Sequence, residues 1–331
     1  MSTTQRPPAD VGGGDRLNLD LRNAESVREA LLAGARANRA ATCRVGSIDR
    51  ITSPGTLIAT GDLHDNPLHL SRLVEAAGMG ESETAKQRDS ETGSPRHLVL
   101  HEIIHSDRLL NGMDFSYRAL ARVGALKADF PERVHILLAN HELSQVTGAG
   151  IVKDGVRVVE AFNEAVSYAF GDDADSVQEA ISEFIYSMPL ALRCVCGTGG
   201  AGVPPARERD ARATDFLVAH SLPSPWLMAR FDTTILSRDL TPADYEPRQG
   251  AAHIMVWGRG YDAEQIEDLV ERWGVGMFIL GHEKVDSGVQ FVPPCVVILN
   301  SDHERGVYLP IDLSNPPRAE EAPGLIVPLE Q

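Results

Sequence analysis

Apolar runs of four to six residues recur along the chain, and several of them end abruptly in residues that can hold a metal ion. Their spacing predicts alternating strands and helices. An amphipathic helix is expected over residues 24–39, with Val27, Leu31, Leu32 and Ala35 on one face. A strand over 55–62 follows, then a helix opened by Pro67 and stopped near Gly78. Further strands are expected over 97–104, 133–139, 189–196, 214–219, 253–257 and 275–280, with helices over 114–129 and 262–273. Residues 156–187 read as two helices broken near Gly171-Asp172-Asp173. Short β segments over 289–291, 295–299 and 307–311 close the pattern. The alternation implies an α/β layered fold with one mixed core. One domain is expected over 19–313, carrying a polar insertion at about 80–96 and a helical and loop insert at about 155–213. Residues 1–18 read as a flexible arm and 314–331 as a loose tail.

Composition narrows the possibilities. At 331 residues the chain can bury a substantial core. A net charge of −16 argues against a general nucleic-acid binder, because phosphate backbones need Lys and Arg surfaces. Cys43, Cys194, Cys196 and Cys295 are too scattered for a disulfide framework, so a reduced, cytoplasmic chain is expected. Cys194 and Cys196 share a strand face and read as small packed groups. The first residues lack the apolar core of a signal peptide, and no run approaches the ~20 apolar residues of a membrane span.

The chemistry sits where the runs end. Asp62 and His64 close the strand over 55–62, and alternate residues of an extended segment point the same way, so the two could share an ion. Asn140-His141-Glu142 follows another apolar run, and His220 and His282 follow two more. Four such junctions point to a two-metal hydrolase.

In order and spacing these residues resemble the calcineurin-like metallophosphoesterases, most closely the phosphoprotein phosphatase branch, over residues 51–313. That pattern runs Gly-Asp-x-His-Gly, Gly-Asp-x-x-Asp-Arg-Gly, Gly-Asn-His-Glu, a lone His and a late Gly-His. Here it stands as Gly61-Asp62-Leu63-His64-Asp65, a divergent second motif around His101-Glu102, then Ala139-Asn140-His141-Glu142, His220 and Gly281-His282. Glu102 replaces the bridging Asp, His105 aligns with the Asp that orients the catalytic His, and Asp107-Arg108 lies two residues later. The resemblance implies a four-layer αββα sandwich. It also implies two divalent ions, manganese first, with iron or zinc as alternatives. Asp62 and His64 would hold one ion, Asn140, His220 and His282 the other, with Glu102 shared. His141 would protonate the leaving oxygen and Glu142 would brace its loop. Arg108, Asp107 and Arg259 would complete the catalytic set, the arginines by binding phosphate.

Three readings follow. One is a phosphomonoesterase acting on phosphoproteins or small phosphate esters, with no nucleic-acid or membrane partner. A second is a dinucleoside polyphosphate hydrolase, for which Trp226, Phe231 and Trp257 are the candidate stacking residues. A third is a degenerate relative kept as a binding or regulatory module.

Overall fold

A computed structural model describes residues 19–80, 93–153, 155–196 and 215–330. The arm over 1–18, most of the polar insertion and the Gly/Pro/Arg loop over 197–213 lie outside these residues. The strands are β1 (Arg44–Val45), β2 (Ile48–Thr52), β3 (Thr56–Thr60), β4 (Arg96–His101), β5 (Val134–Leu137), β6 (Val152–Lys153) and β7 (Val156–Arg157). They continue as β8 (Ala191–Val195), β9 (Phe216–Ala219), β10 (Met277–Leu280), β11 (Val289–Val292), β12 (Val296–Leu299), β13 (Val307–Asp312) and β14 (Val327–Pro328). The helices are α1 (Ala24–Ala40), α2 (Pro67–Ala76), α3 (Tyr117–Asp129), α4 (Asn140–Thr147), α5 (Val158–Phe170), α6 (Ala174–Tyr186), α7 (Ala251–Val256) and α8 (Ala263–Trp273).

Local signals account for the helix ends. Asn23 and Asn66 accept the backbone N–H of Ser26 and His69, and Asp262 does the same for Gln265, each satisfying an orphan donor of a first turn. Gly148 and Gly274 close α4 and α8 in the left-handed region.

Two mixed sheets form, ordered β1-β2-β8-β9-β10-β12-β11 and β14-β13-β3-β4-β5. Strands β3, β4 and β5 run parallel, as do β9, β10 and β12. Side-chain alternation shows how the sheets stack. Leu57, Ala59, Val99, Leu137, Phe216, Val218, Met277, Ile279, Val297 and Leu299 form one core between the sheets. Their neighbours Ile58, Leu98, Leu100, Ile136, Leu217, Phe278 and Ile298 join a larger core with the helices. Strands buried on both faces must be apolar throughout, which is why these runs show no polar alternation. The layers are those of an αββα sandwich. Helices α1 and α3 approach closely at Gly34, where a Cβ would lie 2.7 Å from the Gly124 carbonyl oxygen.

Two expectations are corrected. The stretch 253–256 belongs to a helix, α7, with Trp257 just past its end, because Ala251 and Ala252 favour helix and so short an apolar run has no period to betray its type. The tail is not loose. Strand β14 pairs with β13, the Leu329 N–H donates to the Gly306 carbonyl, and Ala319, Ala322 and Leu329 are buried. Three apolar anchors among Pro and Glu residues are enough to dock it.

Far from the strand ends that carry the candidate ligands, a buried polar network ties the sheets. The His135 Nδ1 on β5 donates to Asp49 Oδ2 on β2 at 2.8 Å, and Arg44 donates to Asp49 Oδ1 at 2.7 Å. His97 Nδ1 faces His135 Nε2 at 3.2 Å. Burial, reinforced by the charges of His135 and Arg133, pushes His97 down to about 3, and burial also lowers His135. A base depressed in the folded state stays neutral there, while the unfolded chain takes up its proton below about pH 6.5. The stability these histidines contribute is therefore expected to fall as pH drops below that value, by about 1.4 kcal/mol per pH unit for each of them, and to be flat in this respect above pH 7. Urea unfolding of the wild type and of His97→Gln at pH 7.5 and 5.5 isolates it; an identical pH dependence in the two proteins would contradict the His97 assignment.

Candidate metal centre

The cluster forms where strands end. Asp62 follows β3 and makes isolated bridges to His101 and Asn300 at the ends of β4 and β12. Glu102 follows β4, Asn140 opens α4 just after β5, His220 follows β9, and His282 follows β10 and Gly281. The backbone turns sharply there: His64, Asp65, Glu102, His105 and His282 all have left-handed φ between 44° and 68°. Such conformations cost non-glycine residues energy and concentrate at sites that aim side chains. Strand β3 stops at Thr60, so this turn, and not the two-residue period of a strand, places Asp62 and His64, and they fall in separate side-chain groups, Asp62 with His220 and His64 with Glu102. The turn is pinned by the N–H groups of Leu63 and His64 donating to the Glu102 carbonyl, and by that of Asp65 donating to the Ile103 carbonyl.

Glu102 occupies the middle. Its Oε1 lies 3.0 Å from His64 Nε2 and its Oε2 lies 2.9 Å from His220 Nε2. The same His220 nitrogen lies 2.7 Å from Asn140 Oδ1 and 3.0 Å from His282 Nδ1. Asp62 Oδ1 lies 3.5 Å from His220 Nδ1 and accepts the His282 N–H at 2.8 Å. All six expected ligands therefore converge, and all are buried.

Electrostatics is dominated by this crowding. Burial opposes the Glu102 charge, yet His141, His64 and His220 together hold its carboxyl well below the usual range. Burial and the Glu102 charge raise Asp62 to about 7. Against the desolvation that disfavours its cation, Glu102 raises His64 to about 9, and it raises His220 as well.

The donor set fits divalent ions. A ring nitrogen carries at most one hydrogen, but His220 Nε2 faces a carboxylate oxygen, an amide oxygen and another imidazole nitrogen. Glu102 Oε2 is buried and makes no well-aligned hydrogen bond. A cation answers both the excess of lone pairs and the orphaned oxygen, and carboxylate, imidazole and amide oxygen suit manganese, iron or zinc. Two groups hold the ligand rings in place. His64 Nδ1 donates to the Ile104 carbonyl at 3.1 Å, which keeps Nε2 towards Glu102. His101 Nε2 donates to the Thr60 carbonyl at 2.8 Å and turns Nδ1 to His220 Nδ1 at 3.2 Å. Gly281 is required here, because a Cβ would lie 2.3 Å from the His101 ring and 2.4 Å from Asp62 Oδ1.

Around the centre, Glu142 Oε1 accepts the N–H groups of Ile103 and Ile104, so it braces the Glu102 loop. His141 Nε2 lies 3.4 Å from Glu102 Oε1, and its Nδ1 faces His105 Nδ1 at 3.0 Å. Arg108 donates to the His64 carbonyl at 2.9 Å and to Asp302 Oδ1 at 3.0 Å, which places it at the mouth. Asp107 does not join the buried cluster: it is 58 % exposed and pairs with Lys153 Nζ at 3.0 Å. Arg259 is exposed just beyond Trp257, whose ring stands edge-on to His282 at 6.4 Å. Sequence reasoning missed Gln145 and Lys153. Gln145 stands one helical turn beyond His141, and that spacing was the available signal.

A scan against family models finds no match, and a comparison with curated proteins finds none. Solved structures do match. A protein serine/threonine phosphatase from Saccharomyces cerevisiae, described as similar to human phosphatase PP5, aligns over 88 % of this chain and 83 % of that chain, with TM-score 0.56 and 16 % identity. A cold-active protein tyrosine phosphatase matches at TM-score 0.50 and 11 % identity, over 80 % of this chain and 75 % of that one. Another structure of a cold-active protein tyrosine phosphatase, from a psychrophilic Shewanella species, matches at TM-score 0.49 and 13 % identity over 80 % and 77 %. The chain has a phosphoprotein-phosphatase-like fold. Its sheet ends carry a cluster compatible with metal binding, built from histidines, carboxylates and Asn140.

Proposed function

We propose that this protein is a two-metal-dependent phosphoesterase that hydrolyses phosphate monoesters, from phosphoproteins or small molecules. The observation that carries this reading is the position of Glu102, one carboxylate oxygen beside His64 and the other beside His220. That position supports a role for Glu102 as a ligand shared by two ions. Asp62 and His64 would complete one ion's shell and Asn140, His220 and His282 the other's, with manganese the first candidate. Two bound ions supply an activated water and neutralise phosphate oxygens. The chain's own groups do the rest. Arg108, fixed by Asp302, would offer its guanidinium to an incoming phosphate, and Arg259, close enough to His282 to influence its charge, would be a second such group. His141 handles a proton at the reacting oxygens. Free cysteines at all four positions support a reducing, cytoplasmic setting, and among the described residues no helix is long and apolar enough to cross a membrane.

Turnover of p-nitrophenyl phosphate after chelator dialysis provides the test. Activity should vanish and return with manganese, iron or zinc, and the reloaded protein should hold two ions by elemental analysis. A protein that binds both ions but hydrolyses no phosphate ester would be a binding module instead.

A further inference from the structure

A further cation stands at the mouth, on an element that supplies none of the six expected ligands. Helix α4, which carries Asn140 and His141, ends at Gly148, and the chain then folds into the β6–β7 hairpin. Val152 pairs with Arg157 and Lys153 with Val156, and the Val158 N–H donates to the Ile151 carbonyl at 3.2 Å. The hairpin sets Lys153 against the loop after β4, where its Nζ lies 3.0 Å from Asp107 Oδ1. Asp107 adjoins Arg108, which donates to the His64 carbonyl, so ammonium and guanidinium approach the centre from adjoining points of one loop. Lys153 is close enough to His64, His105 and His141 to influence their charge. Its carboxylate partner is the more exposed of the two, 58 % against 27 %. An ion pair so open to water adds little stability and yields readily to a stronger anion. An ammonium has three donors, and a single carboxylate oxygen takes one of them. In a chain of net charge −16, cations at this point also offset the repulsion of an anionic substrate.

We propose that Lys153 is a specificity-determining residue that binds the phosphoryl oxygens of the substrate beside Arg108, and that Asp107 holds it there until phosphate displaces the carboxylate. This rests on the phosphoesterase reading above. Binding exchanges one ion pair for another. The ammonium leaves Asp107 Oδ1, which water solvates on the exposed loop, and donates to a phosphoryl oxygen; no proton moves and no covalent bond changes. A phosphate monoester carries two negative charges near neutral pH and a diester one. An ammonium added to the guanidinium therefore selects monoesters over diesters.

The test compares metal-loaded wild type with Lys153→Ala, Lys153→Arg and Asp107→Asn, each checked for two ions by elemental analysis. Kinetics on p-nitrophenyl phosphate and bis(p-nitrophenyl) phosphate are read beside the affinity for inorganic phosphate by calorimetry. Lys153→Ala should raise KM for the monoester ~10–100-fold, the scale of a hydrogen bond to a charged group, while kcat changes little. It should weaken inorganic phosphate to the same degree and move the diester far less. Lys153→Arg should recover most of the affinity. Asp107→Asn should act in the opposite sense and tighten phosphate, because it frees the ammonium and removes a competing anion. A purely structural ion pair would make both deletions weaken binding alike. Phosphate affinity and KM unchanged in a folded Lys153→Ala protein, or the same loss in Asp107→Asn as in Lys153→Ala, would overturn the inference and leave the phosphoesterase reading standing. No turnover of any ester by the loaded wild-type protein would remove both.

Discussion

Replacing Glu102 by glutamine is expected to abolish metal-supported turnover and to reduce the bound ions from two to one or none. The carboxylate faces His64 with one oxygen and His220 with the other, so it is the group common to both halves of the centre. Glutamine keeps the length and the volume but offers one weak oxygen donor and an N–H₂ that repels a cation. The loss should reach at least ~10³-fold, the upper scale for removing one preorganised group that stabilises a transition state. Glu102→Asp, by contrast, keeps the charge and should retain much of the activity. Elemental analysis beside kinetics is decisive: a glutamine variant that still holds two ions and works within tenfold of wild type would show that Glu102 bridges nothing.

Asp49→Ala is expected to be the most damaging single change away from the centre. Asp49 is fully buried, accepts from both Arg44 and His135, and lies close enough to Lys127 to influence its charge. Lys127, also fully buried, donates to the carbonyls of Pro131 and Val134, with no carboxylate hydrogen-bonded to it among the described residues. Removing this carboxylate takes from Arg44 its charged partner and from Lys127 the larger of the two acidic influences on it, the other being Glu132, and opens a gap between β2 and β5. Breaking such a pair by deleting one partner typically costs ~3–5 kcal/mol. Urea denaturation reads it directly, and Asp49→Asn, which keeps a hydrogen-bond acceptor, should cost less. A loss below about 1 kcal/mol would mean that Arg44 and Lys127 find other partners.

The parts of the site that could be read from sequence are those announced by the fold's own grammar. Phe216–Ala219 before His220 and Met277–Leu280 before Gly281-His282 are short runs with no polar position, as strands buried on both faces must be. A polar residue that ends such a run stands at the sheet's edge, where ligands gather. The same logic failed at 253–257, because buried helices and buried strands share that composition when they are short. His105 and Gln145 were illegible as a pair. They stand 40 positions apart, and only the packing of the β4 loop against α4 brings them together. Asp107, two residues from His105, looked equally fit to serve, but the chain turns it outward to Lys153.

Four of the six converging side chains, Asp62, His64, Glu102 and Asn140, issue from the sheet of β3, β4 and β5, while His220 and His282 issue from the other. A bound ion would act as a rivet through the seam between them. The Asp49–His135 link fastens that seam elsewhere, between β2 and β5, by a hydrogen bond. Chelation would then leave the stack hinged on its permanent fastening, free to gape at the working end.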